Sequence, residues 1–343
     1  MRTVLLAILL CFTHIIVFSQ DNALNSLTSK AIELHDEQKY DEAIELYKKA
    51  LIINPNSALV NYEIAITYSA LNDYDNVIKH CSIVIEKIDT INNPNDKQIL
   101  LLTYNTLGSV LDDMGKVEES IVVFERAIAD FGYNYLVCYN LGLNYYKLND
   151  YNKVIDILTR GINSNPNHPS SHMLLGYAMR DLGKISQMAL CFYFFLFLEP
   201  ATERGHDIFE KLLEETSKNV KPNIDSTKIE IVLNNNLDSD FDITDFNLAI
   251  SEALKYSGEN KTEFESFYDK TNQFFSVVKS FSDNNIWSEF YIPFFKDISN
   301  SDYLETFCRY ISGVYWDESY KWIEANSQKL DKFGKWINGE EDK

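Results

Sequence analysis

The amino-acid sequence predicts an all-α protein in which stacked helix pairs are followed by a mostly helical C-terminal region. One position recurs at spacings of 34, 43, 34 and 34 residues, and each interval contains two short segments with helical apolar periodicity. The recurring residues are Ala50, Val84, Ala127, Gly161 and Phe195. One pair of helices cannot bury its own apolar face, so we expect neighbouring pairs to stack into a superhelix.

Other positions recur in step with this reference position. Nineteen residues earlier lies a small residue, which lets the two helices of a pair approach each other closely. These small residues are Ala31, Ala65, Gly108, Gly142 and Gly176. Three residues before the reference position the side chain is larger, namely Tyr47, Cys81, Phe124, Leu158 and Phe192. Five residues after it, three of the repeats have Pro55, Pro166 and Pro200.

This 34-residue period, with a small residue, a later aromatic and a closing proline, resembles the tetratricopeptide repeat (TPR). The resemblance covers about half of the chain, residues 24–200. It implies a superhelix of about five helix pairs plus a capping helix, in which the first helix of each pair lines a concave surface. Such a surface binds a protein or peptide segment, and the resemblance does not identify that segment.

A short turn joins the two helices of each pair. The five turns are Gln38-Lys39, Asn72-Asp73, Gly115-Lys116, Asn149-Asp150 and Gly183-Lys184. Gly and Asn tolerate the left-handed backbone conformation that ends many helices, so we expect left-handed caps in these turns.

Residues 1–20 are predicted to form a secretory signal peptide. Arg2 supplies a positive charge, Thr3 to Phe18 form an almost unbroken apolar run, and Ser19-Gln20 end it. The alternative is a membrane anchor, but the run is shorter than the ~20 residues that a spanning helix needs. The Ser-Gln ending and a composition rich in Asn, Ile, Lys, Tyr and Phe resemble exported proteins of the Bacteroidetes group. That resemblance implies a periplasmic or secreted location.

The chain is strongly acidic, with 31 basic and 51 acidic residues and a net charge of −20. Such a charge disfavours nucleic acid and anionic membrane surfaces as partners. About 320 residues follow the signal, and this length predicts two domains. We expect a TPR array with its capping helix over residues 21–219 and an aromatic-rich helical domain over residues 220–343.

Four cysteines follow the signal peptide, and none of them forms a C-x-x-C pair. They are Cys81, Cys138, Cys191 and Cys308. An oxidising compartment permits disulfides between them. Their positions within apolar helical segments favour buried free thiols instead.

Two repeats depart from the common pattern. Nine extra residues around Asn92 to Leu100 separate repeats two and three, and their turn chemistry predicts a longer loop. In repeat five, residues 190–198 read LCFYFFLFL, so this helix is apolar on all sides and must be covered twice. We expect a capping helix over Ala201 to Lys218 to cover its outer side.

The C-terminal region lacks the 34-residue period. Lys228 to Leu233 alternate as a short strand, which we expect to be the one strand of the chain. Five later segments are predicted to be helices: Thr244 to Tyr256, Thr262 to Phe281, Asn285 to Ile298, Asp302 to Ser312 and Glu318 to Ile337. Thr262 with Glu265 predicts a capping box, and Pro293 should kink or split a helix. The region resembles uncharacterised C-terminal regions of repeat proteins in the same bacterial group, which implies no activity.

No motif of a known catalytic, phosphate-binding or metal-binding site occurs in the sequence. His168 and His172 are four residues apart, as some metal ligands are, but they open repeat five and are interpreted as part of a helix start. The acidic stretch from Asp238 to Asp242 lacks the Gly and the closing Glu of a calcium loop, so we interpret it as a solvated turn. The sequence therefore predicts no catalytic residues, no cofactor and no metal site.

The resemblance to TPR proteins implies which side chains would contact a partner. In that family the first helices line the concave face, and the matching positions here provide ten predicted partner-binding residues. They are Tyr62, Ile66, Asn105, Ser109, Tyr139, Leu143, Tyr146, Met173, Tyr177 and Arg180. Thr28 and Ile32 are the matching positions in repeat one. Members of the family that clamp a peptide carboxylate use Lys, Arg and Asn here, and only Asn105 matches in type.

The sequence thus predicts an exported, non-enzymatic scaffold that binds a protein or peptide partner through the concave face. Three alternatives stay open. In the first, the C-terminal region fills the concave face. In the second, an enzymatic site lies in the C-terminal region. In the third, the protein is a structural part of an envelope complex.

Overall fold

A computed structural model describes residues 20–86, 94–218, 220–222, 229–231, 240–254, 261–278 and 285–340. These residues are helical except for turns and one two-stranded sheet. By its contacts the chain divides into two compact units, unit 1 up to Asn144 and unit 2 from Tyr145 onward. Within the described residues, no helix is long and apolar enough to cross a membrane.

Unit 1 contains the helices of the first three repeats and most of the first helix of repeat four. They are α1 (residues 20–36), α2 (Tyr40–Ile53), α3 (Ala58–Ala70), α4 (Tyr74–Glu86), α5 (Pro94–Asp113), α6 (Val117–Phe131) and α7 (Tyr135–Lys147), whose last turn belongs to unit 2. In the first repeats, Ala31, Tyr47, Ala50 and Ile64 form part of one buried core cluster.

Unit 2 contains the rest of the repeats and the C-terminal region. Its repeat helices are α8 (Tyr151–Ser164), α9 (Pro169–Asp181), α10 (Ile185–Leu198) and the capping helix α11 (Glu203–Ser217). Its C-terminal elements are β1 (Val220–Pro222), β2 (Ile229–Ile231), α12 (Asp240–Leu254), α13 (Glu263–Val277), a π-helical turn (Trp287–Tyr291) leading into α14 (Ile292–Asn300), α15 (Leu304–Ile311), α16 (Asp317–Ala325) and α17 (Ser327–Ile337).

The predicted helix pairs are confirmed, since two helices occupy each of the five repeats between residues 20 and 198. The small residue of the pattern has the expected role. A Cβ atom added at Gly108 would lie 2.4 Å from the ring of Phe124, and one at Gly176 would lie 2.4 Å from the ring of Phe192. The small residue and the later aromatic are therefore two halves of one contact between paired helices.

The predicted left-handed caps are also confirmed, and Gln38 adopts the same conformation. The φ angles are 62° at Gln38, 57° at Asn72 and 56° at Asn149, and they are 75° at Gly115 and 72° at Gly183. The residue after each turn position donates its N–H back into the preceding helix, as in Lys184 to Met179 O at 2.9 Å. These bonds satisfy carbonyls that the helix end leaves without a partner.

The prediction of a longer loop before repeat three was wrong for residues 94–100, which the structure describes as helical. Helix α5 begins at Pro94, so most of the extra residues lengthen this helix to 20 residues. Pro94 suits the first helical position, because its fixed φ is helical and its missing N–H has no helical partner there. Leu100 is 1% exposed, so burial of its side chain supports the added helix. Asn92 and Asn93 lie outside the described residues.

The apolar second helix of repeat five is covered more widely than expected. The capping helix is confirmed as α11, but α12, α15 and the π-helical turn also contact α10. Tyr193 of α10 packs against Phe274, Phe275 and Phe295, with ring centroids 6.1, 5.1 and 6.0 Å away. The aromatic residues of the C-terminal region thus form part of the core that buries α10.

The strand prediction was correct for Ile229–Ile231 but missed a second strand. Val220–Pro222 pairs with it antiparallel, with Val220 opposite Ile231 and Pro222 opposite Ile229. The sequence around Pro222 was interpreted only as a helix break. A proline is tolerated in an edge strand, because one side of such a strand has no neighbouring strand to which its N–H groups must donate. Residues 228, 232 and 233 lie outside the described residues.

The C-terminal helices largely follow the predicted segments. The capping box at the start of α13 is confirmed, because the Thr262 hydroxyl accepts from Glu265 N and the Glu265 carboxylate accepts from Thr262 N. Pro293 follows a π-helical turn that ends at Tyr291. Because Pro293 has no N–H, the bond to the carbonyl four residues earlier is lost, and the widened turn accommodates this change.

Candidate interaction surface

The ten residues predicted to bind a partner lie on first helices, and all ten are half-buried. In unit 1, α3 carries Tyr62 and Ile66, α5 carries Asn105 and Ser109, and α7 carries Tyr139 and Leu143. In unit 2, the last turn of α7 carries Tyr146, and α9 carries Met173, Tyr177 and Arg180. We call these ten residues the first-helix face. That they bind a partner stays a prediction.

The two matching residues of repeat one, Thr28 and Ile32, make contacts within the fold. Thr28 is buried, and its hydroxyl donates to Leu24 O at 2.8 Å, so its polar group is used inside α1. Ile32 is partly buried against the core of the first repeats. Thr28 therefore has a structural role in helix α1.

An amide pair lies on the unit 1 part of the first-helix face. Asn140 Nδ2 donates to Asn105 Oδ1 at 3.3 Å, joining the first helices of repeats three and four. Each side-chain amide has two acceptor lone pairs and two N–H donors, so this one bond leaves capacity on both residues. Amides with spare capacity can bind the backbone of an extended peptide.

Two carboxylates lie close to the unit 1 part of the first-helix face. The pKa of the Glu63 carboxyl on α3 is raised by burial and by the negative charge of Asp36 on α1. His35 Nδ1, next to Asp36, lies 2.9 Å from the hydroxyl of Thr67, one turn after Glu63. Within the described residues, neither carboxylate forms an ion pair or a hydrogen bond. Two carboxylates without an ion pair among the described residues therefore add negative charge to this surface.

The unit 2 part contains a connected polar and aromatic cluster. The Tyr146 hydroxyl donates to Asp181 Oδ2 at 2.5 Å. Arg180 Nη2 lies 2.7 Å from Asp181 Oδ1, and its guanidinium carbon lies 4.8 Å from the centre of the Tyr177 ring. Tyr177 in turn meets the Phe192 ring edge to face at 5.4 Å. One carboxylate thus fixes the tyrosine and the arginine, and the arginine stacks on the second tyrosine.

These contacts set the charge state of the cluster. Burial opposes ionisation of Asp181, but the hydrogen bonds from Tyr146 and Arg180 outweigh it, so the pKa of this carboxyl lies below its usual value. Burial and the bond to Asp181 raise the pKa of Tyr146 to about 12. At neutral pH the cluster therefore contains ionised Asp181, neutral Tyr146 and charged Arg180.

Sequence reasoning missed the two partners Asn140 and Asp181. Asn140 follows Asn105 by 35 residues, and Asp181 follows Tyr146 by 35 residues. Both hydrogen bonds therefore join neighbouring first helices at an offset of 35 residues, which is one repeat plus one position. A search for polar pairs at this offset would have found both.

The C-terminal helices of unit 2 do not hydrogen-bond, ion-pair or stack with Tyr146, Tyr177 or Arg180 within the described residues. They contact α10 and α11 instead, and they reach α9 at His172 near its start. In unit 2, the polar and aromatic contacts of these three first-helix residues are therefore made within the repeats.

His168 and His172 do not converge on one point. The Nδ1 of His168 lies 2.8 Å from the Ser171 hydroxyl. The two ring nitrogens of the fully buried His172 lie 2.6 Å from the Tyr291 hydroxyl and 2.8 Å from Pro166 O. Burial lowers the pKa of His172 to about 4, so this ring is neutral at pH 7. Among the described residues, no group of three His, Cys, Asp or Glu side chains is placed to hold a metal ion.

Cys81, Cys138, Cys191 and Cys308 are buried. Cys81, Cys191 and Cys308 are thiols without a disulfide, which confirms the prediction for these three. Burial raises the pKa of the Cys81 thiol to about 12, so this group is protonated and unreactive at neutral pH.

Repeated two-helix units, joined by left-handed turns and packed through a glycine–aromatic contact, define a helical repeat protein with a polar and aromatic first-helix face. The family models agree with this class. Residues 33–72 match the model described as "TPR repeat", and residues 102–129 and 135–168 match the one described as "Tetratricopeptide repeat". Residues 33–72, 102–129 and 135–168 therefore belong to TPR repeats.

One similar curated protein is the Hsp70-Hsp90 organising protein of Plasmodium falciparum (isolate 3D7), which is 29% identical over 105 residues. The match covers 29% of this chain and 18% of that protein, so the chain spans less than a fifth of its length. Similar solved structures include PilF of Pseudomonas aeruginosa, with a TM-score of 0.49, 16% identity, and coverage of 70% of this chain and 95% of that chain. YrrB, described as a TPR protein with an unusual peptide-binding site, has a TM-score of 0.43, 13% identity and coverage of 55% and 90%.

Proposed function

We propose that this protein is an exported, non-enzymatic scaffold that binds a segment of a partner protein through its first-helix face. The observation that carries the proposal is the set of half-buried aromatic and polar side chains on successive first helices. Tyrosine offers rigid apolar area and a polar tip, and it loses little side-chain entropy on binding. In unit 2, the polar and aromatic contacts of Tyr146, Tyr177 and Arg180 leave the C-terminal helices out, which favours an external partner.

The chemistry of the face favours an extended segment with basic side chains. The Asn105–Asn140 pair has capacity for backbone groups of such a segment. Glu63 and Asp36 provide negative charge beside it, and the chain as a whole carries a net charge of −20. Opposite charge on the partner would speed association and select against acidic segments.

A peptide carboxylate is a poor ligand for this face. Arg180 is the one basic residue of the ten, and Asp181 already neutralises it at 2.7 Å. A carboxylate from a partner would have to displace Asp181 from both Arg180 and Tyr146.

Export is supported by the sequence of residues 1–20, with one basic residue followed by an apolar run and a polar end. Fractionation of cells that produce the full chain tests it. We expect the protein in the periplasm or the medium, shortened at its N-terminus by about 20 residues. A full-length protein in the cytoplasm would contradict export and leave the binding proposal intact.

Site-specific photo-crosslinking tests the binding surface in living cells. A photoreactive residue at Ser109, on the first helix of repeat three, should crosslink to a partner. The control is Val122 on the second helix of the same repeat, where the side chain is 65% exposed. Crosslinks at position 122 that equal or exceed those at 109 would place the interface on second helices and overturn the proposal.

A further inference from the structure

Helices α11, α12 and α13 surround a small polar cavity in unit 2, apart from the first-helix face. Its volume is about 80 Å³. Six of its lining residues matter here: Ser251, Glu252, Ser266, Phe267, Lys270 and Trp316. A cavity of this size holds a few water molecules or a ligand of roughly four to six heavy atoms.

A buried ion pair between Lys270 and Glu252 lines the cavity. Lys270 Nζ lies 2.7 Å from Glu252 Oε2, and each side chain is 8% exposed. The same ammonium group donates to the Thr216 hydroxyl at 3.1 Å. Burying two charges costs so much desolvation that such a pair seldom stabilises a fold more than apolar residues would. The pair therefore suggests a role other than stability.

Three polar groups at this cavity have unused bonding capacity. Within the described residues, Glu252 bonds only through Oε2, so its Oε1 atom has no hydrogen-bond partner. The hydroxyl of Ser266 has none either. The Ser251 hydroxyl donates to Asn247 O at 2.8 Å, which leaves its oxygen able to accept. The cavity thus presents mainly acceptors, which suit a ligand that donates hydrogen bonds.

The charge and the walls of the cavity specify the ligand further. Glu263 also lines the cavity, and Glu252 already neutralises Lys270. The rings of Phe267 and Trp316 pack edge to face at the cavity wall, with centroids 5.4 Å apart and planes at 72°. Aromatic faces attract cations, most strongly in sites with little water.

We propose that this cavity binds a small primary ammonium compound. The ammonium group donates to Glu252 Oε1 and to Ser266 Oγ, and the carbon atoms of the ligand lie against Phe267 and Trp316. The site is independent of partner binding by the first-helix face, and the binding involves no covalent step.

Ethanolamine is a suitable probe, and ethylene glycol is its neutral counterpart of equal heavy-atom count. Ligand-observed NMR on the mature chain at pH 7 should show ethanolamine binding with a Kd of about 1 mM, near the limit for so small a ligand. Ethylene glycol should bind at least about tenfold more weakly, because it lacks the charge. Equal binding of the two probes, or no ethanolamine binding at about 20 mM, would overturn the proposal.

Ser266→Leu should fill the cavity without removing either member of the ion pair. We expect it to weaken ethanolamine binding at least about tenfold, with helical circular dichroism unchanged. Ser276→Leu is the matched control, since this serine is an exposed residue of the same helix α13. Binding that Ser266→Leu leaves intact, or that Ser276→Leu weakens equally, would show that ethanolamine binds elsewhere. If Ser266→Leu unfolds, Ser266→Val tests the same site, and unchanged affinity in that variant would contradict the proposed hydrogen bond to Ser266 Oγ.

Discussion

Gly176 brings α9 close to α10 at the contact with Phe192. A methyl group at this position would lie 2.4 Å from the Phe192 ring, well inside van der Waals contact. Gly334 in α17 differs, because nothing lies within 4 Å of a Cβ atom placed there. Alanine substitutions at these two positions therefore measure different effects. At Gly176 the substitution measures the cost of overpacking, and at Gly334 it measures the preference of helices for alanine.

We expect Gly176→Ala to destabilise the protein by about 1–3 kcal/mol, because the aromatic ring must move in a packed core. Gly334→Ala should instead stabilise it, by up to about 1 kcal/mol, since alanine restricts the unfolded chain and favours helix. Urea unfolding followed by circular dichroism measures both. Destabilisation of equal size in the two variants would contradict the close-approach role of Gly176.

His172 makes unit 2 sensitive to acid. Its pKa is lowered to about 4 in the folded state, compared with about 6.5 for an unperturbed histidine. The unfolded chain therefore binds a proton at a higher pH than the folded chain does. The stability that His172 contributes is fully present above about pH 6.5 and is lost as the pH falls toward 4.

From pH 7 to pH 5 we expect this residue alone to remove roughly 2 kcal/mol from the free energy of unfolding. His172→Gln cannot take up the proton, so the pH dependence of this variant should be smaller by that amount. Its stability at pH 7 should be lower, because the contacts with Pro166 and Tyr291 change. A slope between pH 7 and pH 5 that equals the wild-type slope would show that His172 is not the titrating group.

At the scale of helices and strands, the repeats were predictable because their signals are local and periodic. The turns at Asn72 and Gly183 and the glycine–aromatic pairs each recur at fixed spacing. The strand Val220–Pro222 was missed because its partner among the described residues lies seven residues away at the closest paired position, and a proline masks the pattern. The burial of Tyr193 by Phe274 and Phe275 depends on contacts about 80 residues apart, which no local pattern contains.

The repeat pattern placed the ten residues on first helices, but it did not reveal the bonds among them. A periodic pattern indicates which side of a helix a residue occupies. It does not indicate that Asp181 takes the hydrogen-bonding capacity of Tyr146 and the charge of Arg180, because that depends on side-chain conformation across two repeats. The amide pair of Asn105 and Asn140 was missed for the same reason.

The C-terminal helices should be required for the fold of repeat five. In a chain that ends at Lys218, α10 would lose the aromatic partners of Tyr193, and its apolar side chains would meet water. We expect this truncated protein to aggregate or to bind a hydrophobic dye, whereas a chain ending at Glu340 should behave as wild type. A monomeric and cooperatively folded fragment would instead support a domain boundary near residue 219.

At the scale of the whole molecule, negative charge is the main feature that bears on a partner. Glu63 illustrates its effect, since burial and Asp36 raise the pKa of this carboxyl and so penalise its charged form in the folded state. Stability from this residue should therefore fall as the pH rises through its folded pKa. A charge that destabilises the fold at neutral pH is consistent with a role in binding.

Glu63→Gln should raise the thermal unfolding temperature at pH 7 and weaken binding of a basic partner segment. The loss of affinity should shrink as salt increases, because salt screens exposed charges. Glu45→Gln is a suitable control, since Glu45 is exposed on the second helix of repeat one and already faces Lys48 at 3.1 Å. Tighter partner binding by Glu63→Gln would show that the partner segment is not basic.

The affinity of a captured partner for a double tyrosine variant tests the central claim most directly. Tyr139→Ala with Tyr177→Ala removes one ring of the first-helix face from each unit, and the control is Tyr133→Ala with Tyr320→Ala, which removes one exposed ring from each. We expect the first pair to weaken binding by at least about 2 kcal/mol, or roughly 30-fold, and the control pair to leave it unchanged. Wild-type affinity in a folded Tyr139→Ala, Tyr177→Ala variant would contradict binding through the first-helix face.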